Sequence, residues 1–129
     1  KDKPMKFYRC PHCGSIVAKL NEVGCAPSCC GEPMLEMKAN TGDGAFEKHV
    51  PQVERRGNKV LVQVGSTIHP MLENHYIEWI CLRTESGWRM ENLRPGMEPK
   101  AQFELRESEK PIEVYAYCNL HGLYLAKID

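Results

Sequence analysis

Val60, Val62 and Val64 alternate with Leu61 and Gln63, the period-two signature of a strand with one buried face, and Gly57-Asn58 ahead of them marks a turn. Tyr76 to Thr84 and Gly87 to Leu93 read as two more strands joined through Glu85-Ser86-Gly87. Ala101 to Arg106, Ile112 to Tyr117 and Leu123 to Ile128 complete the set, and no long segment keeps a helical period. Short strands at this spacing predict an all-β chain, a sandwich or a small barrel. Within it Cys81, alternating with apolar neighbours, is expected as a buried thiol, and Trp79 and Trp88 as core. Residues up to about Met37 carry few large apolar side chains. A unit below about 40 residues generally needs a metal, disulfides or a partner to stay folded, so a small metal-stapled unit is expected there. Ala39-Asn40-Thr41-Gly42-Asp43-Gly44 reads as the linker between that unit and the strand-rich remainder of the chain.

The 129 residues carry 17 basic and 17 acidic side chains, a balance that removes the global attraction nucleic-acid binders rely on. Any attraction for an anion must then be local. No stretch approaches the roughly 18 to 20 apolar residues that span a membrane, and Lys1-Asp2-Lys3-Pro4 is not followed by an apolar run, so a cytoplasmic protein is expected. The seven cysteines fit that reading, because their odd number and ligand-like spacing point to metal thiolates in a reducing compartment.

Two constellations carry chemistry. In the first, Cys10-Pro11-His12-Cys13 is followed by the adjacent pair Cys29-Cys30. Four thiolates suffice for a tetrahedral Fe or Zn centre, and neighbouring residues, with Cα atoms about 3.8 Å apart, both reach one ion. Cys-x-x-Cys is common to zinc ribbons, rubredoxin-like sites and thiol redox motifs, whereas the adjacent pair is rarer. Cys25 is left as a substitute ligand or a spare thiol, and His12 as a solvent-facing loop residue. The second constellation comprises His49, His69, His75, Cys118 and His121, all in loops or at strand ends, where a rigid β scaffold gathers ligands from distant parts of a chain. Zinc is usually satisfied by four ligands; four imidazoles and a thiolate suit a redox iron with one position open.

The order Cys-x-x-Cys, Cys-Cys, Glu47-Lys48-His49-Val50-Pro51, His69-Pro70-Met71, His75-Tyr76-Ile77-Glu78-Trp79 and Cys118-Asn119-Leu120-His121-Gly122 resembles the desulfoferrodoxin family, the two-iron class of superoxide reductase, over nearly the whole chain. Cys25 is extra to the family's four-cysteine pattern, and Phe46 stands where a polar residue is expected. The resemblance implies a desulforedoxin-like domain over residues 1–37 and an immunoglobulin-like catalytic sandwich over 38–129. It implies two mononuclear irons, one held by Cys10, Cys13, Cys29 and Cys30, the other by equatorial His49, His69, His75 and His121 with Cys118 on the axis. Superoxide would be reduced by one electron to hydrogen peroxide, a rubredoxin-like protein would return the electron, and paired N-terminal units would make a homodimer. Lys48 would draw superoxide in and orient a proton-donating water, and Glu47 would occupy the vacant position of the oxidised iron; read without the resemblance, both are a solvated loop ion pair. An electron-transfer or redox-sensing protein, a structural zinc module and a superoxide dismutase are the competing readings.

Overall fold

Each alternating segment folds as a strand with ends within two residues of those expected. The computed structural model describes residues 6–21 and 23–128, so the basic start Lys1-Asp2-Lys3-Pro4 lies outside the described residues. The chain divides into two compact units, Lys1–Lys38 and Ala39–Asp129.

The first unit holds five short strands: β1 (Lys6–Arg9), β2 (Ile16–Lys19), β3 (Ser28–Cys29), β4 (Glu32–Pro33) and β5 (Leu35–Glu36). They form a three-stranded sheet in the order β2-β1-β5 and a hairpin of β3 with β4. Tyr8, Cys10 and Met34 are buried together, with Val17 and Cys29 packed against them, and Phe7 is buried as well. No sequence pattern announced these strands, because elements of two to four residues are too short to show a period.

The second unit opens with a single helical turn, α1 (Phe46–His49), followed by β6 (Pro51–Arg56), β7 (Lys59–Val64), β8 (Ile77–Thr84), β9 (Trp88–Asn92), β10 (Lys100–Glu104), β11 (Pro111–Cys118) and β12 (Gly122–Lys127). Two antiparallel sheets, β10-β7-β6 and β12-β11-β8-β9, make the sandwich, with the connectivity of an immunoglobulin-like fold whose fourth strand has joined the larger sheet. Val60, Val62 and Val64 of β7 with Ala101 and Phe103 of β10 meet Ile80 and Leu82 of β8 and Val114, Ala116 and Cys118 of β11. Full burial of each large aliphatic side chain here contributes about 1.5–3 kcal/mol. Strand β6 escaped the sequence reading because it is an edge strand paired only to β7, and past Pro51 and Val53 it is polar and exposed.

Three further features differ from expectation or refine it. Cys81 is buried, as read, and burial pushes its thiol up to about 12. Trp79 is buried and stacks on Tyr117 with centroids 5.6 Å apart, but Trp88 is 37% exposed, because β9 is the outer strand of its sheet. The expected linker is tied along β12 instead: Asn40 N donates to Leu123 O at 2.9 Å, Asn40 Nδ2 to Leu125 O at 3.2 Å, and Leu125 N to Asn40 Oδ1 at 2.9 Å.

A register slip in the β8–β11 pair shapes the end of the sandwich. Tyr117 lies opposite Trp79, yet Cys118 lies opposite Ile77, leaving Glu78 as a bulged extra residue. The bulge turns Ile77 into the core and carries the pairing on past the strand ends, where Asn119 N donates to Tyr76 O at 3.2 Å.

Candidate metal centres

One thiol each from Cys10, Cys13, Cys29 and Cys30 lies within 4.8 Å of all the others. The Cys13–Cys29 and Cys29–Cys30 sulfurs are 3.6 and 3.9 Å apart. A tetrahedron with metal–sulfur bonds of about 2.3 Å has edges of about 3.8 Å, so the four sulfurs already stand at ligand spacing. The local chain explains how adjacent cysteines manage this. Cys30 (φ 55°) and Gly31 (φ 80°) form the left-handed pair of a tight turn between β3 and β4, which folds the Cys30 sulfur back beside that of Cys29. The backbone N–H of Cys13 lowers the Cys10 thiol to about 6, while contact with Cys13 and the other thiols raises Cys29 to about 12, so a shared cation is what would settle the set as thiolates. Cys25 lies outside this group, and His12 is exposed with Nε2 2.7 Å from Glu32 Oε1.

The second group gathers at one end of the sandwich. His49 comes from α1, which leads into β6; His69 and His75 come from the β7–β8 loop; Cys118 closes β11. One ligand atom from each of the four lies within 4.8 Å of every other. His49 and His69 are almost fully buried, and Cys118 is wholly so. Nδ1 of His49 lies 2.8 Å from Ala45 O and Nδ1 of His69 lies 2.7 Å from Pro70 O. A carbonyl only accepts, so both Nδ1 atoms carry the proton and both Nε2 atoms present lone pairs, facing one another at 3.0 Å. His75 Nε2 is buried with no hydrogen-bond partner. An orphaned buried acceptor costs about 1–3 kcal/mol and facing lone pairs repel; a cation among them removes both penalties. Burial first, then neighbouring imidazoles, lowers the basicity of His49 and His69, the latter to about 4, and burial does the same to His75, so the rings are neutral ligands at pH 7. Burial raises the Cys118 thiol, and the N–H groups of Leu120 and His121 donating toward its sulfur pull it back. These donors fit a metal ion.

His121 stands beside the group without joining it. Its ring centroid is 4.9 Å from that of His49 and 5.2 Å from that of His75, while its Nδ1 is 2.7 Å from Asp43 Oδ1. That hydrogen bond holds the Asp43 carboxyl below its ordinary value.

The desulfoferrodoxin profile matches residues 41–127, and the profile of the desulfoferrodoxin N-terminal domain matches residues 3–37. The chain belongs to the desulfoferrodoxin family. It is 46% identical over 120 residues to a desulfoferrodoxin homolog of Archaeoglobus fulgidus, covering 93% of this chain and 94% of that one. It is 45% identical over 122 residues to the desulfoferrodoxin of Nitratidesulfovibrio vulgaris, covering 95% of each. Among solved structures it is similar to the superoxide reductase from Treponema pallidum, with a TM-score of 0.82 and 34% identity over 97% of this chain and 100% of that one. The four-thiol and histidine–thiol groups match the two iron centres of the desulfoferrodoxin pattern.

Glu47 and Lys48 are exposed on α1, next to the histidine group of this desulfoferrodoxin fold, and no ion pair of either is found among the described residues. The Lys48 charge lies close enough to lower the basicity of His49 and His75. Residues the sequence reading passed over also build the site. Asp43, hidden in the supposed linker, holds His121, and Tyr124 accepts from Gly44 N at 3.1 Å and lies with its ring centroid 4.7 Å from that of His49. Gly65 joins the two histidine loops: its N donates to Val50 O at 3.1 Å, and Thr67 N donates to Glu47 O at 2.9 Å. Its φ is +83°, and a Cβ there would lie 2.4 Å from Thr67 O and 2.6 Å from Lys48 O. Gly65→Ala should therefore lower stability by about 1–3 kcal/mol in urea unfolding and lower iron retention at the histidine group, with the four-cysteine group unaffected.

Proposed function

We propose that this protein is a superoxide reductase, an oxidoreductase that turns superoxide into hydrogen peroxide at the histidine–thiol group. The reading is carried by the converging set of His49, His69, His75 and Cys118, with His75 Nε2 buried and unpartnered, beneath an exposed Lys48. It is supported by the likeness to the superoxide reductase from Treponema pallidum. His121 completes the ligand set by exchanging Asp43 for the metal. An iron bound there supplies the single electron that, with two protons, converts superoxide to hydrogen peroxide, and a rubredoxin-like protein restores it.

The chain's own residues draw the anion in and manage its protons. With no net charge on the chain, steering is local and falls to Lys48, whose ammonium also orients the water that delivers a proton. Glu47, its neighbour on α1, would offer its carboxylate to the oxidised iron. Lys48→Ile should slow superoxide capture about tenfold at low salt and flatten its dependence on ionic strength, read by pulse radiolysis; unchanged kinetics would remove Lys48 from the mechanism.

Residues 1–37 form the iron-stapled domain and 38–129 the catalytic one. A homodimer accompanies this assignment, because the first unit leaves Leu20, Val23 and Leu35 exposed for a second copy to cover. The protein works in the cytoplasm, where thiols persist. No disulfide is formed among the described residues, and no helix among them is long and apolar enough to cross a membrane.

The test adds a known quantity of superoxide to the anaerobically reduced, iron-loaded protein, with His49→Ala as control. About one peroxide per superoxide without oxygen identifies a reductase, since the metal then supplies the electron. About half as much peroxide together with oxygen identifies a dismutase. No difference from the control returns the protein to electron transfer.

A further inference from the structure

We infer that Asn119 is the residue that positions His75, by pairing its side-chain amide with the backbone on either side of that histidine. Asn119 Oδ1 accepts from Tyr76 N at 2.9 Å, and Asn119 Nδ2 donates to Asn74 O at 3.2 Å. In extended chain the carbonyl before a residue and the N–H after it point the same way, so one primary amide satisfies both, as a strand neighbour would. Asn119 N donates to Tyr76 O at 3.2 Å as well, so three hydrogen bonds fix this segment to the loop between Cys118 and His121.

Apart from ring contacts with His49, His69 and His121, little else restrains His75. Its own backbone bonds go to Leu72, closing a local turn, with N donating to Leu72 O at 3.2 Å and O accepting from Leu72 N at 2.9 Å. Its Nε2 has no partner, whereas His49 and His69 are each held through Nδ1 by a carbonyl. The bulge at Glu78 is what brings Tyr76 opposite Asn119. Two ligands far apart in sequence, His75 and Cys118, are thus set relative to each other by the one residue that comes after Cys118. The role requires a donor and an acceptor at once, which an asparagine provides and an apolar residue of its size does not.

The inference rests on the metal reading above, and cobalt(II) added to the metal-free full-length protein tests both. Uptake of two Co(II) ions per chain by the unaltered protein, one with the visible bands of a mixed nitrogen and sulfur site, establishes the site. Asn119→Ala and Asn119→Leu should each raise the dissociation constant at that site about tenfold, the scale on which partners outside the ligand set act. Binding at the four-cysteine group should not move, and the Tyr76 amide should lose protection from hydrogen exchange. The leucine variant keeps the branched outline and still fills the space, so a space-filling role would leave it like the unaltered protein, and it carries the test if the alanine variant does not fold. An unchanged constant in Asn119→Leu overturns the inference while leaving the metal site standing. Failure of the unaltered protein to take up a second ion overturns both.

Discussion

Cys13→Ser should remove the first metal and unfold the first unit while leaving superoxide consumption at the second essentially intact. The small unit has little else to hold it. Its buried residues among those described are Phe7, Tyr8, Cys10 and Met34, its strands run two to four residues, and Cys10 is at once core and ligand. Units of this size fold on their metal, which for structural zinc contributes an apparent 10–16 kcal/mol, about as much as the whole stability of an ordinary domain. The sandwich, by contrast, has its own core from Val60 to Cys118 and keeps every histidine of the second group. Half the iron should be lost, amides of the first unit should exchange freely, and peroxide yield per superoxide with a chemical reductant should stay the same. A fall in peroxide yield matching the lost iron would instead make the first centre an obligatory electron relay.

The part of the structure legible in the sequence is the part with a period. Val60, Val62 and Val64 announced β7 because one face of that strand is buried and the other is not. Strand β6 has no such contrast, and Trp88 looked like core because its sequence neighbourhood is that of a strand, while its exposure depends on β9 ending the sheet. The candidate ligands were legible for a chemical reason: histidine and cysteine are scarce, and their spacing stands out. Their supports were not. Asp43, Gly65 and Asn119 are common loop residues whose roles depend on partners 78, 15 to 17 and 43 to 45 positions away, and only the folded chain brings these together. Gly65 alone left a faint mark, as a glycine ending an alternating strand, which often signals a left-handed turn.

Cys118→Ser should abolish superoxide consumption while leaving the sandwich folded. Cys118 ends β11 on the inner face, wholly buried, and is the one donor of its group that ionises to an anion. Burial opposes that ionisation, so the thiolate forms together with the metal it binds; the N–H groups of Leu120 and His121 aimed at the sulfur lessen the cost. A serine hydroxyl matches the shape and accepts from the same N–H groups, but it does not ionise near neutral pH. The remaining ligands of the set are imidazoles, so the variant offers a metal no anionic donor. Partners outside the ligand set cost about 10–100-fold in affinity when removed, and loss of this direct ligand should exceed the upper figure. Stability should fall by no more than about 1–3 kcal/mol, the scale for placing a hydroxyl in an apolar site. Iron content, the sulfur-to-iron absorption band and urea unfolding of the same sample separate these effects. A folded variant that kept its second iron and its turnover would show that Cys118 serves only the core; one that kept the iron and lost turnover would assign the thiolate to chemistry, where it would supply electron density to the iron.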